Sequence, residues 1–389
     1  MQNSICIHNA TVLNGFTQMK NCAVLIKKNK IVDVFNEERF LKKKFDGNTL
    51  LIDAKGAYVT PGLIDTHIHG IGGFGTDDGT QKSILKMSEI LSTYGVTSFV
   101  PTLYAGTKQK MLKAIKAVVS AMGKEKGARI LGIHLEGPFI SKDRLGVQSA
   151  SDISPVDLNL MKEFWNASKG HIVNMTVAPE LKGMRELALY AVSKGIVLQA
   201  GHTNATYEQM VEAMQARIFH VTHLFNAMSR MHHRDPGVVG AVFIHPELSC
   251  EIIADGIHIN PEIIKFLLSC KSLDKVVLVT DSLKPAKQKT KPLIANGDEV
   301  YLDKCFYRKS DHAIAGSALT MIDSLKNIVS YGFHLEQAVH MASTNPARIM
   351  KQEHLGIIAP GYEADLVVLD EKLNVLYTII GGKMNYKGK

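Results

Sequence analysis

The sequence predicts an α/β fold: a (β/α)8 TIM-type barrel with a small β-sandwich domain built from both chain ends. Three observations lead there. From residue 59, short apolar runs alternate with longer segments of helical period, the pattern of βαβ units and a parallel sheet. Eight such runs fall within roughly 230 residues, the number and about the size that a closed barrel requires. At both chain ends, apolar runs are instead separated by Asn, Gly and Lys turns. An open doubly wound sheet is the alternative, but no Gly-x-Gly-x-x-Gly turn opens a helix after a strand.

Residues 1–58 read as the first part of the small β domain. Ile5-Cys6-Ile7 leads to a turn at Asn14-Gly15, and Lys28-Asn29-Lys30 joins two apolar runs as a hairpin. Leu50-Leu51-Ile52-Asp53 is a further strand. Residues 59–354 form the barrel domain. Its strand candidates are 59–69, 97–103, 129–135, 172–178, 196–200, 219–224, 250–254 and 276–280. Helical periodicity marks 111–122, 161–167, 184–193, 207–217 and 261–270. A Lys/Pro-rich loop follows Thr280, then a hairpin turn at Asn296-Gly297 and helices at about 318–331 and 335–343. Residues 355–389 return to β character, with runs at 365–369 and 375–380 that complete the small domain.

Composition excludes several function classes. At 389 residues, 46% hydrophobic and 21% charged, the chain reads as an ordinary soluble protein. The formal charge is +8, but the basic clusters Lys42-Lys43-Lys44 and Lys284 to Lys291 are short and lack interleaved aromatics. They read as solvated faces, not as a nucleic-acid interface. A mild positive excess suits an anionic small substrate. Five widely spaced cysteines without a Cys-x-x-Cys fit free thiols in a reducing cytosol, so a cytoplasmic location is expected. Met1 to Leu13 lacks the pattern of a signal peptide, and no run of about 18 apolar residues predicts a membrane span.

The chemistry lies at the strand ends. His67 and His69 share one face of the first strand because alternate side chains do. The third run ends at Glu136, the fifth at His202, the sixth at His223 and the eighth at Asp281. Singly, each has an ordinary structural role: Glu136 as a helix N-terminal charge, His202 as a turn cap, Asp281 as an N-cap. In a barrel, however, these C-terminal ends converge on one mouth, where active sites of the fold lie. Four histidines and two carboxylates converging there form an N- and O-type ligand set for a divalent metal. Such a metal generates a water nucleophile and polarises a carbonyl. Asp281 is then the candidate general base, returning the proton to a leaving nitrogen.

The stretch Pro61-Gly62-Leu63-Ile64-Asp65-Thr66-His67-Ile68-His69 resembles the opening signature of the amidohydrolase superfamily. Nearly the whole chain is similar to its N-acetylglucosamine-6-phosphate deacetylase family. The resemblance is carried by His134-Leu135-Glu136-Gly137-Pro138, Gly201-His202-Thr203-Asn204-Ala205-Thr206, Thr222-His223-Leu224-Phe225-Asn226-Ala227-Met228 and Ala315-Gly316-Ser317-Ala318-Leu319-Thr320-Met321. It implies hydrolysis of the acetamide of N-acetyl-D-glucosamine 6-phosphate, with Glu136, His202 and His223 on one metal. His67 and His69 imply a second, with Glu136 bridging, Asp281 nearby as acid/base, and zinc or iron as the metal. It also implies substrate contacts from Asn226, Ala227, Arg234, His258, Ile314, Ala315 and Gly316, and a homodimer.

One departure stands out. Where the family carries a histidine that contacts the scissile acetamide, this chain has Gly146-Val147-Gln148. Gln148 can donate a hydrogen bond but cannot carry a proton. It keeps open a related N-acyl sugar such as N-acetylgalactosamine 6-phosphate as substrate; a catalytically silent binding protein is an alternative of a different class, against which the intact ligand set argues.

Overall fold

The computed structural model describes residues 4–388. Eight parallel strands form the barrel in chain order: Leu63–Ile68, Val96–Tyr104, Ile133–Glu136, Ile172–Val177, Val197–Ala200, His220–Val221, Ser249–Ile253 and Val276–Val279. Each pairs in parallel with the next. The backbone closes the ring between the eighth strand and the first. The Asp281 N–H donates to the His67 carbonyl at 2.8 Å, and the N–H groups of His69 and Gly70 both donate to the Ser282 carbonyl at 3.0 Å.

All six residues of Leu63–Ile68 are buried, as expected of a strand covered on both faces. The strands are rich in β-branched residues, and helices shield them from outside. Lys108–Ala121 and Pro261–Cys270 each present one apolar stripe inward and start on a side-chain cap, Thr107 and Asn260. Tyr207–Gln215 and Met321–Ser330 begin with Thr-x-x-Gln and Thr-x-x-Asp pairs whose side chains and backbones cap each other. Gly237–Ile244 is apolar on all sides and buried over most of its length.

The run expected over 59–69 is two strands. Tyr58–Pro61 pairs antiparallel with Leu366–Leu369 in the end sheet, and Leu63–Ile68 belongs to the barrel. Gly62 is the joint between them. A β-carbon there would lie 2.0 Å from Thr97 Oγ1, so only glycine lets the chain pass the second strand so closely.

Both chain ends build one sheet, in the order Lys383–Lys387, Val375–Ile380, Leu366–Leu369, Tyr58–Pro61, Ser4–Leu13, Gln18–Lys27, Lys30–Asn36, with Thr49–Asp53 also on Ser4–Leu13. It has its own core, including Ile7, Val24, Ile26, Leu366 and Ile379. A separate four-stranded sheet lies between the eighth barrel strand and the last helices: Ile294–Ala295, Asp298–Asp303, Cys305–Arg308 and Ile314–Gly316. The expected turn at Asn296-Gly297 opens it, with φ of 48° and 87°. That is the left-handed pair of a two-residue hairpin. Its last strand brings Ile314–Gly316 to the barrel mouth. Among the described residues, no helix is long and apolar enough to cross a membrane.

Candidate metal centre

The six ligand candidates meet at the mouth in two adjoining clusters, His67 with His69 and Asp281, and Glu136 with His202 and His223. All are at least largely buried. Glu136 joins the clusters. Its Oε1 lies 3.2 Å from His67 Nε2, 3.2 Å from His202 Nε2 and 3.3 Å from His223 Nε2, and its Oε2 lies 3.3 Å from His69 Nε2. Asp281 Oδ1 is 3.3 Å from His69 Nε2 and 3.5 Å from His67 Nε2.

The donor set fits divalent ions. His202 and His223 bring their Nε2 atoms within 3.1 Å of each other. Nitrogens about 2.0–2.1 Å from a tetrahedral zinc lie roughly 3.3 Å apart. His202 Nδ1 lies 3.0 Å from the Arg144 carbonyl and His67 Nδ1 lies 3.0 Å from Glu251 Oε2. In the neutral ring that binds an ion, each of those nitrogens carries the hydrogen, which leaves Nε2 as the lone pair facing the centre. His67 Nε2 is buried with no hydrogen-bond partner. It lies 3.2 Å from Glu136 Oε1 and 3.5 Å from Asp281 Oδ1, close to both carboxylates without a hydrogen bond to either.

Electrostatics agree. Burial alone would push Glu136 towards protonation, but His202, His223, His67 and His69 hold its carboxyl well below the usual range. Burial likewise opposes ionisation of Asp281, and His67 and His69 outweigh it. Burial disfavours protonated His67, yet Asp281, Glu251 and Glu136 draw its pKa well above the ordinary histidine value. The centre is thus a pocket of ionised carboxylates that attracts cations. Just below it, burial pushes Asp65 up to about 7, while Thr280 donates to its Oδ2 at 2.6 Å across the barrel seam.

Three of the six ligand candidates have left-handed backbones: His202 (φ 46°), His223 (φ 24°) and Asp281 (φ 46°). Non-glycine residues hold such conformations at about 1–3 kcal/mol each, and only where the surroundings enforce them. Here they are enforced. The His202 carbonyl accepts from the Ser141 N–H at 2.8 Å, and Glu180 accepts from the Asn204 N–H at 2.6 Å. Asn226 donates through Nδ2 to the His223 carbonyl at 3.2 Å. The Asp281 carbonyl accepts from the Ser317 N–H at 3.0 Å.

A cavity of about 220 Å³ opens beside the centre. Gln148, Asn226, Ala227, His258, Ile314, Ala315 and Gly316 line it with His69, Glu136, His202, His223 and Asp281. Gln148 donates from Nε2 to Glu136 Oε2 at 2.7 Å, and its Oε1 is buried without a partner. His258 is held by Asp255, whose Oδ2 lies 2.6 Å from its Nδ1. Arg234 is not brought to this cavity; it is exposed and donates to His233 Nε2 at 2.9 Å.

Residue reading missed three contributors. Tyr104 stacks on His69 with ring centroids 3.8 Å apart and walls the cavity. Gly146 (φ 59°) passes so close that a β-carbon would lie 3.2 Å from His202 Cε1. Glu251 holds His67. A charge alone inside the apolar run 249–253 was the available signal for it.

Comparison with known proteins follows the same line. Residues 58–384 match the profile of the Amidohydrolase family. The chain is 31% identical over 384 residues to the N-acetylglucosamine-6-phosphate deacetylase of Lysinibacillus sphaericus, covering 98% of this chain and 97% of that one. The crystal structure of the Pasteurella multocida N-acetylglucosamine-6-phosphate deacetylase superposes with a TM-score of 0.91 at 30% identity, over 99% of this chain and 100% of that one. A Mycobacterium smegmatis N-acetyl-D-glucosamine-6-phosphate deacetylase mutant in complex with N-acetyl-D-glucosamine-6-phosphate superposes with a TM-score of 0.90 at 26% identity, over 99% and 100%. A closed barrel with its ligand set at the C-terminal mouth, an end sheet from both termini and a family match over most of its length lead to one conclusion: this chain belongs to the amidohydrolase family.

Proposed function

We propose that the protein is a metal-dependent deacetylase converting N-acetyl-D-glucosamine 6-phosphate to D-glucosamine 6-phosphate and acetate. The observation that carries this reading is the six-residue ligand set opening onto a cavity, in a chain whose full-length relatives bear that activity in their names. Glu136, His202 and His223 would hold one divalent ion, and His67, His69 and Asp281 would hold a second; zinc and iron both suit this donor set. Bound there, such an ion activates water and polarises the acetyl carbonyl.

The chain's residues do the rest. Asp281, which lines the cavity, takes the proton from the attacking water and passes it to the leaving sugar nitrogen. Gln148 orients the Glu136 carboxylate through Nε2 and keeps a buried Oε1 without a partner. Asn226, Ala227, His258 and the strip Ile314, Ala315, Gly316 hold the sugar. His258 is oriented by Asp255, which supports a fixed donor towards the phosphate end. Arg234 serves the phosphate across a homodimer contact, since its planar guanidinium suits bidentate phosphate binding and lies outside its own cavity. We further read the chain as a cytoplasmic enzyme with a barrel domain at 59–354, framed by 1–58 and 355–389.

The test is acetate release from N-acetyl-D-glucosamine 6-phosphate by protein loaded with zinc or ferrous iron. Turnover that falls on the order of 10²–10⁴-fold in Asp281→Asn supports the reading. No release, or a variant equal to wild type, sinks it. Gln148 supports a second reading, a related N-acyl sugar such as N-acetylgalactosamine 6-phosphate, because the group beside Glu136 cannot donate a proton. Comparing kcat/KM for the two sugars decides between them.

A further inference from the structure

Glu251 lies wholly buried in the seventh barrel strand, beneath the metal centre and away from the cavity. Nothing in the proposed reaction uses it. Its surroundings are nonetheless built for a carboxylate. Oε2 is 3.0 Å from His67 Nδ1, accepts from Thr222 Oγ1 at 3.1 Å and lies 3.4 Å from the His223 N–H. Oε1 accepts from Gln199 Nε2 at 2.6 Å, with His220 Nε2 at 3.7 Å. Gln199 is itself set, because its Oε1 accepts from Asn174 Nδ2 at 2.7 Å, so its amide must turn its hydrogens to Glu251. A carboxylate in this cage can only accept. The hydrogen it receives from His67 sits on Nδ1, and Nε2 is left as the ligand atom.

The histidines are not equally held. His202 has a backbone carbonyl at Nδ1 and His67 has Glu251, whereas Nδ1 of His69 and of His223 has no partner. Among the described residues, Glu251 is thus the one hydrogen-bond partner at Nδ1 of either histidine in the cluster of His67, His69 and Asp281. It also adds a third buried carboxylate to Glu136 and Asp281, and all the ion pairs these three form among the described residues are with histidines.

We propose that Glu251 is a positioning residue that locks the tautomer and orientation of His67 and thereby governs whether the second divalent ion is held. The proposal rests on the two-ion reading above. It goes beyond that reading by making occupancy depend on a residue that touches neither ion nor substrate.

The test titrates metal-free wild type and Glu251→Gln with Co²⁺, following visible absorption, and counts bound ions after dialysis. Wild type is expected to hold two. Glu251→Gln should keep the first ion with its spectrum unchanged and bind the second about 10–100-fold more weakly, the usual effect of losing an outer hydrogen-bond partner. A merely structural role would not separate the two ions. A folded Glu251→Gln that binds both as wild type does overturns the proposal. One ion in wild type overturns the two-ion reading beneath it, a distinguishable result. If circular dichroism shows Glu251→Gln unfolded, Thr222→Val decides: it removes one donor to the same oxygen, and unchanged affinity for the second ion overturns the proposal.

Discussion

Glu136, His202 and His223 come from barrel strands three, five and six, inside the continuous sheet. His67, His69 and Asp281 come from strands one and eight, whose backbones meet only at the closing seam. The two clusters share the barrel mouth but differ in what holds them. His202 is fixed locally, by a loop carbonyl. His67 is fixed from below by Glu251, and the Asp281 backbone is fixed by the His67 carbonyl. The difference teaches that one cluster is a property of neighbouring strands, while the other depends on ring closure and a buried carboxylate. An ion in the first cluster can survive loss of the second; the reverse is not expected, because Glu136 serves both.

The largest effect should come from Glu136→Ala, which breaks the comparison by removing the shared group. Both ions should be lost and turnover should fall by several kcal/mol of transition-state stabilisation, on the order of 10³-fold or more. Elemental analysis beside the acetate assay checks it. Next, His223→Ala and His67→Ala should separate the clusters. Ion content should fall to none in the first variant and to one in the second, with dialysed protein counted by mass spectrometry. Chelation should then lower the unfolding midpoint of wild type reversibly. Binding to the folded state alone contributes about 2.7 kcal/mol at an ion concentration of 100 Kd, and thermal melts with and without added zinc measure it. The smallest effect is Gly62→Ala. The added methyl meets Thr97 Oγ1 at the root of strand one, and overpacking of this kind costs about 1–3 kcal/mol. Denaturant titration gives the loss. If the seam matters as argued, the ion at His67 and His69 should weaken while the other does not.

Much of this was legible in the residues. Each of the eight apolar runs contains a barrel strand, the first also supplying Tyr58–Pro61 to the end sheet, and the runs at both ends became one sheet, because strand formation leaves a local imprint of short apolar runs between turns. The ligand candidates were visible because each is a polar residue where an apolar run stops. Other features left no local trace. Glu251 meets His67 across 184 positions. Tyr104 stacks on His69 only because the second strand runs long, to Tyr104. The third run divides around Gly132, where a β-carbon would strike the Val173 side chain. The four-stranded insertion announced itself only through its first turn.

By itself, then, the sequence determined the order of strands and helices, the end-sheet pairing as an expectation, and the identity of the groups facing the mouth. These follow from periodicity and from side-chain chemistry, which are properties of neighbours along the chain. The tertiary structure alone decided which groups share an oxygen, which histidine nitrogen faces the centre, and that Arg234 lies outside the lining of its own cavity. Those outcomes depend on ångström distances across a closed ring. Such distances arise only when every strand is paired, and no spacing in the chain encodes them one residue at a time.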